Sequence, residues 1–167
     1  GMQYLVEAAS DNTVWLHELA AAQSKVGGVR RAQGDMGGAL CAYQECHDSM
    51  QRLLATDANN ADWHRQLYEN SANIGHIKMA QGDLYGALKA YREFQDGIQH
   101  LVVADPDNVG MQREFVSAQS LVGTVLEAQG DLVGALHAHL ECVSGLKRLA
   151  AAQPSDKTWQ YDTATIQ

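Results

Sequence analysis

Proline, cysteine and basic charge are all scarce in this chain. Only two prolines occur in 167 residues, so long helices meet few obligatory breaks. Three cysteines occur, Cys41, Cys46 and Cys142, and no pair is spaced as CxxC. An odd count without that spacing argues against a disulfide framework, fits a reducing compartment and points to a cytoplasmic protein. No apolar run reaches the ~18–20 residues that a membrane span needs, so no membrane association is expected. Residues 1–10 lack the charged start and apolar core of a signal peptide, and Gly1 before Met2 reads as a cleavage remnant. The formal net charge is −8, and the densest basic cluster is Arg30-Arg31. An acidic chain with no basic stripe is not built for nucleic acid.

What is present is a repeat. Ala-Gln-Gly-Asp occurs at Ala32–Asp35, Ala80–Asp83 and Ala128–Asp131, spaced by 48 residues each time. Gly27, Gly75 and Gly123 keep the same register, as do Gly38-Ala39-Leu40, Gly86-Ala87-Leu88 and Gly134-Ala135-Leu136. Residues 9–56 match residues 57–104 at 17 of 48 positions, and residues 57–104 match residues 105–152 equally well. Unrelated sequence of ordinary composition would give roughly three matches. The chain therefore reads as one repeat domain with repeats 9–56, 57–104 and 105–152. Flanking half-helices are expected at 1–8 and 153–167, where Leu5 matches Leu53 and Trp159 matches Trp63.

Each repeat reads as two helices, A and B. In the middle repeat Asp57–Asn60 is a turn with capping residues. Helix A is predicted from about Ala61 to Ala80, with Trp63, Leu67, Ile74 and Ile77 on one face. Gly82 is predicted to end it as a left-handed residue, and Asp83 to cap helix B, which runs to about Val103. Gly34 with Asp35, and Gly130 with Asp131, should do the same. The recurrence of Gly86 and Gly97 predicts close approach of two helices, because glycine inside a helix otherwise costs ~1 kcal/mol. The fold class is all-α, at least ~65% helical against the ~30–35% base rate.

The spacing of Gly75, Ala87 and Tyr91 resembles the tetratricopeptide repeat (TPR), which places Gly, then Ala twelve residues on, then an aromatic four further. Gly27, Ala39 and Tyr43 fit the same pattern. Gly123 and Ala135 fit, with His139 in place of the aromatic, and Pro106 and Pro154 fit the repeat junction. The family repeat is 34 residues, and 48 resembles its long-helix bacterial variety. The resemblance implies a right-handed α–α superhelix whose concave face, lined by the A helices, holds a partner peptide or helix. It puts the groove at Ala21, Ser24, Gly28 and Arg31, then Glu69, Ala72, His76 and Met79, then Ser117, Ser120, Thr124 and Glu127. An added turn supplies His17, Arg65 and Arg113, spaced 48 apart. The partner-binding candidates are His17, Arg65, Glu69, His76, Arg113 and Ser117. Some family members clamp a chaperone's C-terminal carboxylate with a Lys/Asn set. Only Asn73 matches that set, while Ser24, Gly28, Ser117 and Leu121 depart from it, so that activity is not expected.

The remaining motifs read as structure. His139 and Cys142 could share a face beside Glu141, but zinc needs three or four convergent ligands. Neither a metal nor a cofactor is expected. Cys46, Phe94 and Cys142 occupy equivalent positions, which signals buried packing rather than a nucleophile. The Gly-Asp-Leu turn lacks the ending of a phosphate loop and follows a helix. Trp15, Trp63 and Trp159 open successive A helices and are expected as core anchors. The chain is thus expected to be a non-enzymatic protein-binding scaffold, the alternative being a self-assembly module. Apolar residues at its ends suggest association with another copy, either as a two-fold dimer through one end or head to tail with open-ended growth, and the closed homodimer is the one expected.

Overall fold

The computed structural model describes residues 2–152, with side chains from residue 12 onward. Among these residues 87% are helical and there is no strand. The elements are α1 (Met2–Ala32), α2 (Met36–Leu54), α3 (Ala61–Ala80), α4 (Leu84–Ala104), α5 (Val109–Ala128) and α6 (Leu132–Ala152). The chain divides into two compact units, residues 1–83 and 84–167. The first holds α1, α2 and α3, and the second holds α4, α5 and α6. The chain is an all-α helical-repeat protein.

The turns inside the repeats form as their residues dictate. Gly34, Gly82 and Gly130 have φ of 82°, 78° and 83°, and no other residue among those described has positive φ. Each closes a Schellman pair. Gly34 N–H donates to Arg31 O at 3.0 Å and Asp35 N–H to Arg30 O at 2.9 Å. The same two bonds recur at Gly82 and Asp83, and at Gly130 and Asp131. They satisfy carbonyls that a helix end would otherwise leave bare. Asp35 then caps α2 by accepting Gly38 N–H at 2.8 Å, and Asp131 caps α6 by accepting Gly134 N–H at 3.0 Å. Asp83 receives Lys78 Nζ at 3.0 Å on its Oδ2.

The junctions between repeats differ. Asn60 accepts Trp63 N–H and Asn108 accepts Met111 N–H, both at 3.1 Å, so each caps an A helix. Asp57 Oδ1 also accepts Asn59 N–H, and Asp105 Oδ2 accepts Asn108 Nδ2. Ala9 stands where those two aspartates stand, and Ser10 where Pro106 stands. With no carboxylate to close the turn and no proline to stop it, α1 runs unbroken from Met2 to Ala32. The separate half-helix expected at 1–8 is therefore the first part of α1. The half-helix expected at 153–167, with Trp159, lies outside the described residues.

The recurring helix glycines are of two kinds. A Cβ on Gly145 would lie 2.5 Å from Val116 Cγ2, so α5 and α6 do approach closely there, at the position of Gly97. Gly38 and Gly134, at the position of Gly86, serve another purpose. A Cβ on Gly38 would lie 2.1 Å from Asp35 Oδ2, and one on Gly134 2.5 Å from Asp131 Oδ2. Both glycines make room for the capping carboxylate, and Gly38 also admits Arg30 of α1, whose Cδ would lie 2.9 Å from the Cβ added there.

The cores follow the repeat. In the first unit Ala20, Cys46, Met50, Leu53 and Leu67 cluster, with Leu16, Trp63 and Tyr68 half-buried against them. In the second Val116, Cys142, Leu146 and Leu149 cluster. The first four positions of one set are the four of the other, 96 residues on. Trp63 is an anchor as expected. Trp15 is not: it is 68% exposed, and among the described residues no B helix lies against that side of α1.

Candidate functional site

The first unit brings α1 and α3 together at one cleft. Ala21, Ser24 and Lys25 from α1 face Gln66, Glu69 and Asn73 from α3 across a space of about 260 Å³. Its floor is Ala20, Cys46, Met50 and Asn70, all buried. Three residues expected to line a groove, Ala21, Ser24 and Glu69, therefore do border one concavity. The cause is the shared register of the two A helices.

The charged candidates sit along its margin. Arg65 Nη2 pairs with Glu69 Oε1 at 3.0 Å, one turn away on α3, and both side chains are over two-fifths exposed. An exposed pair of this kind contributes ~0.3–0.5 kcal/mol, so it orients the two groups more than it stabilises the fold. His17 lies across from Gln66, with Nε2 3.1 Å from Gln66 Oε1, and its ring centroid is 6.4 Å from that of Trp63. His76 is exposed on α3. Partial desolvation, and then the positive charge of Arg31, hold its pKa below the usual histidine value. In the second unit Arg113 and Ser117 are exposed on α5, and Ser117 Oγ donates to Arg113 O at 3.1 Å.

Asn70 is the residue that pattern reading passed over. It is 2% exposed, and its Nδ2 donates to Tyr43 O at 2.7 Å. That bond fixes the amide orientation. Its Oδ1 then lies buried at the cleft with no hydrogen-bond partner. A buried acceptor left unmade costs ~1–3 kcal/mol, which a donor entering the cleft would recover. The signal was in the sequence. Asn70 falls three residues after Leu67 and seven before Ile77, within an otherwise apolar stripe.

Burial favours the neutral form of the two core thiols, Cys46 and Cys142. Burial pushes Cys46 up to about 11, opposed by a hydrogen bond from the Ser24 backbone. Burial raises Cys142 as well, opposed by the Ser120 side chain. Both pack in the cores, as does Phe94 at the equivalent place. No group of three or more metal-ligating side chains converges among the described residues. No helix among them is long and apolar enough to cross a membrane.

No protein-family model matches the chain, and no curated protein sequence does. Solved structures with some likeness are helical. One is the DHF79 filament, at 12% identity and a TM-score of 0.33, covering 96% of this chain and 98% of that one. Another is the MamA protein, at 14% identity and 0.23, covering 80% and 95%. A third is the designed helical repeat protein DHR64, at 11% and 0.28, covering 96% and 92%.

Proposed function

We propose that this chain is a protein-interaction scaffold of the TPR kind, working in a reducing compartment such as the bacterial cytoplasm. It holds a segment of a partner protein against its A helices. The observation that carries this reading is the α1–α3 cleft with its unpartnered buried acceptor, Asn70 Oδ1. A peptide N–H or side-chain amide entering there satisfies that oxygen. Lys25, the Arg65–Glu69 pair and His17 then read charge and hydrogen-bonding capacity at the rim. His76 on the same helix extends the contact, and Arg113 and Ser117 on α5 are the candidate contacts of the second unit by itself. The 48-residue periodicity and the Gly–Ala–aromatic spacing support a family in which A helices serve this purpose.

Peptides selected on the whole chain from a random display library test the reading. Backbone amide shifts in the NMR spectrum should move on titration at Ser24, Lys25, Gln66, Glu69 and Asn73. Asn70→Leu, which removes the acceptor and keeps an apolar floor, should weaken binding about tenfold, the equivalent of ~1.4 kcal/mol. Selected peptides that leave those amides unmoved and perturb only the B helices would overturn it.

A further inference from the structure

Among the described residues, α1 carries an apolar stripe that no helix covers. In α3 the stripe is Trp63, Leu67, Ile74 and Ile77. Leu67 is 8% exposed and Ile77 is 0% exposed, because α2 lies on them. α1 bears Trp15, Leu19, Val26 and Val29 at the same four positions. Offsets of four, eleven and fourteen residues put them on one side of a helix. Here they are 68%, 47%, 46% and 58% exposed. Single exposed apolar residues are ordinary, but four large ones in line mark a contact surface.

The complementary face is uncovered too. On α2, Met36 and Leu40 pack with Ala39 and Tyr43 against Ile74 and Ile77 of α3. α6 carries Leu132 and Leu136 in the places of Met36 and Leu40, and they are 67% and 61% exposed. Ala135 and His139 stand where Ala39 and Tyr43 stand. The molecule thus shows, in α2 and α3, how a B face of this sequence seats an A face. Among the described residues it also presents an exposed example of each.

We propose that α1 of one copy docks on α6 of a second copy in the register in which α3 docks on α2. Val26 and Val29 then meet Leu132 and Leu136. The second copy is the occupant because both faces are versions of one pair that already fits inside the chain, with valine for isoleucine and leucine for methionine. The contact is heterologous, since each copy offers a different face, and it leaves one face of each kind open to continue. A two-fold dimer through α1 alone would set one α1 on another and leave α6 bare. The inference is independent of the cleft in the first unit and goes beyond it.

Sedimentation velocity on the whole chain at rising concentration tests it with two variants, Val29→Glu and Leu136→Glu. Both positions are exposed, so far-UV circular dichroism should be unchanged. Should either variant lose helix, Val26→Glu and Leu132→Glu replace them. The wild type should grow past dimer as concentration rises. Each variant alone should be monomeric. The two mixed should form a one-to-one dimer and stop there, because one good face remains on each. A wild type that stays monomeric into the millimolar range overturns the proposal. So does a Leu136→Glu variant that still dimerises, which would mean a two-fold contact through α1 alone. Variants that remain apart when mixed overturn it as well.

Discussion

The α1–α2 hairpin and the α5–α6 hairpin are built from the same repeat positions and solve one packing problem in opposite ways. In the second, Val116 meets the place of a Cβ on Gly145; in the first, the smaller Ala20 and the larger Ser49 stand at the same two repeat positions. The volume lost on one helix is regained on the other, which is what close packing demands. The polar side of the exchange is not conserved. Gln23 Oε1 accepts Ser49 Oγ at 2.9 Å. Gln119, at the place of Gln23, faces no hydroxyl, and its Oε1 is buried without a partner. A similar exchange occurs over the helix A glycine. The Tyr43 ring lies where a Cβ of Gly27 would be, with Cε1 at 2.8 Å. The His139 ring lies over Gly123 in the same way, with Cε1 at 2.7 Å. Flatness is the shared requirement, so histidine replaces the aromatic. Repeats of equal fold therefore keep shape complementarity first and hydrogen bonding second.

The largest expected effect tests the ring over the glycine. Tyr43 is 2% exposed, and Tyr43→Ala should cost ~3–5 kcal/mol, like other buried aromatics. His139 is half-buried and should cost less than half as much when changed to Ala. Urea unfolding of the two variants measures both, and equal losses would mean that the two rings carry the same burden.

Next is the volume exchange itself. Gly145→Ser alone should destabilise by ~1–3 kcal/mol, because its Cβ meets Val116. Adding Val116→Ala should recover part of that loss, since it recreates the Ala20–Ser49 arrangement and offers Gln119 a hydroxyl. The coupling expected from a double-mutant cycle is ~0.5–3 kcal/mol. Additive losses would show that the two positions do not compensate each other.

The turns should not distinguish the hairpins at all. Gly34→Val and Gly130→Val should each cost ~1–2 kcal/mol, because both force a β-branched residue to a φ near 82°. Thermal melts of the two variants should agree. A large difference between them would show that one turn is relaxed by its surroundings.

The smallest effect concerns His76, whose counterpart on α5 is Thr124. Its titration midpoint by NMR should lie below the ordinary histidine value. Arg31→Ala should raise it only in part, because desolvation is the larger cause. The sign for stability follows. A depressed folded pKa gives a contribution that is present above the unfolded value and is lost as pH falls through the folded one. A midpoint at or above the ordinary value would mean that His76 is fully solvated.

Much of this was legible beforehand. The middle repeat's helix A, its turn glycine and the buried places of Cys46, Phe94 and Cys142 follow from local chemistry and periodicity. Three things were not legible. Trp15 matches Trp63 in sequence, yet one is exposed and the other half-buried, because burial depends on what lies opposite. Gly134 looks like a packing glycine until the Asp131 carboxylate beside it is seen. Asn70 looks like any helix residue until Tyr43 O fixes its amide.

By itself the sequence determined the all-α class, the period, the left-handed turns and the stripe that each helix buries or offers. Those depend on residues a few positions apart, whose geometry is set by the backbone. Tertiary structure alone decided which stripes are covered, which polar atoms are left unmade and which residues border the cleft. Each of those is a relation between side chains that the chain brings together from tens of residues away. Neither periodicity nor propensity carries that information.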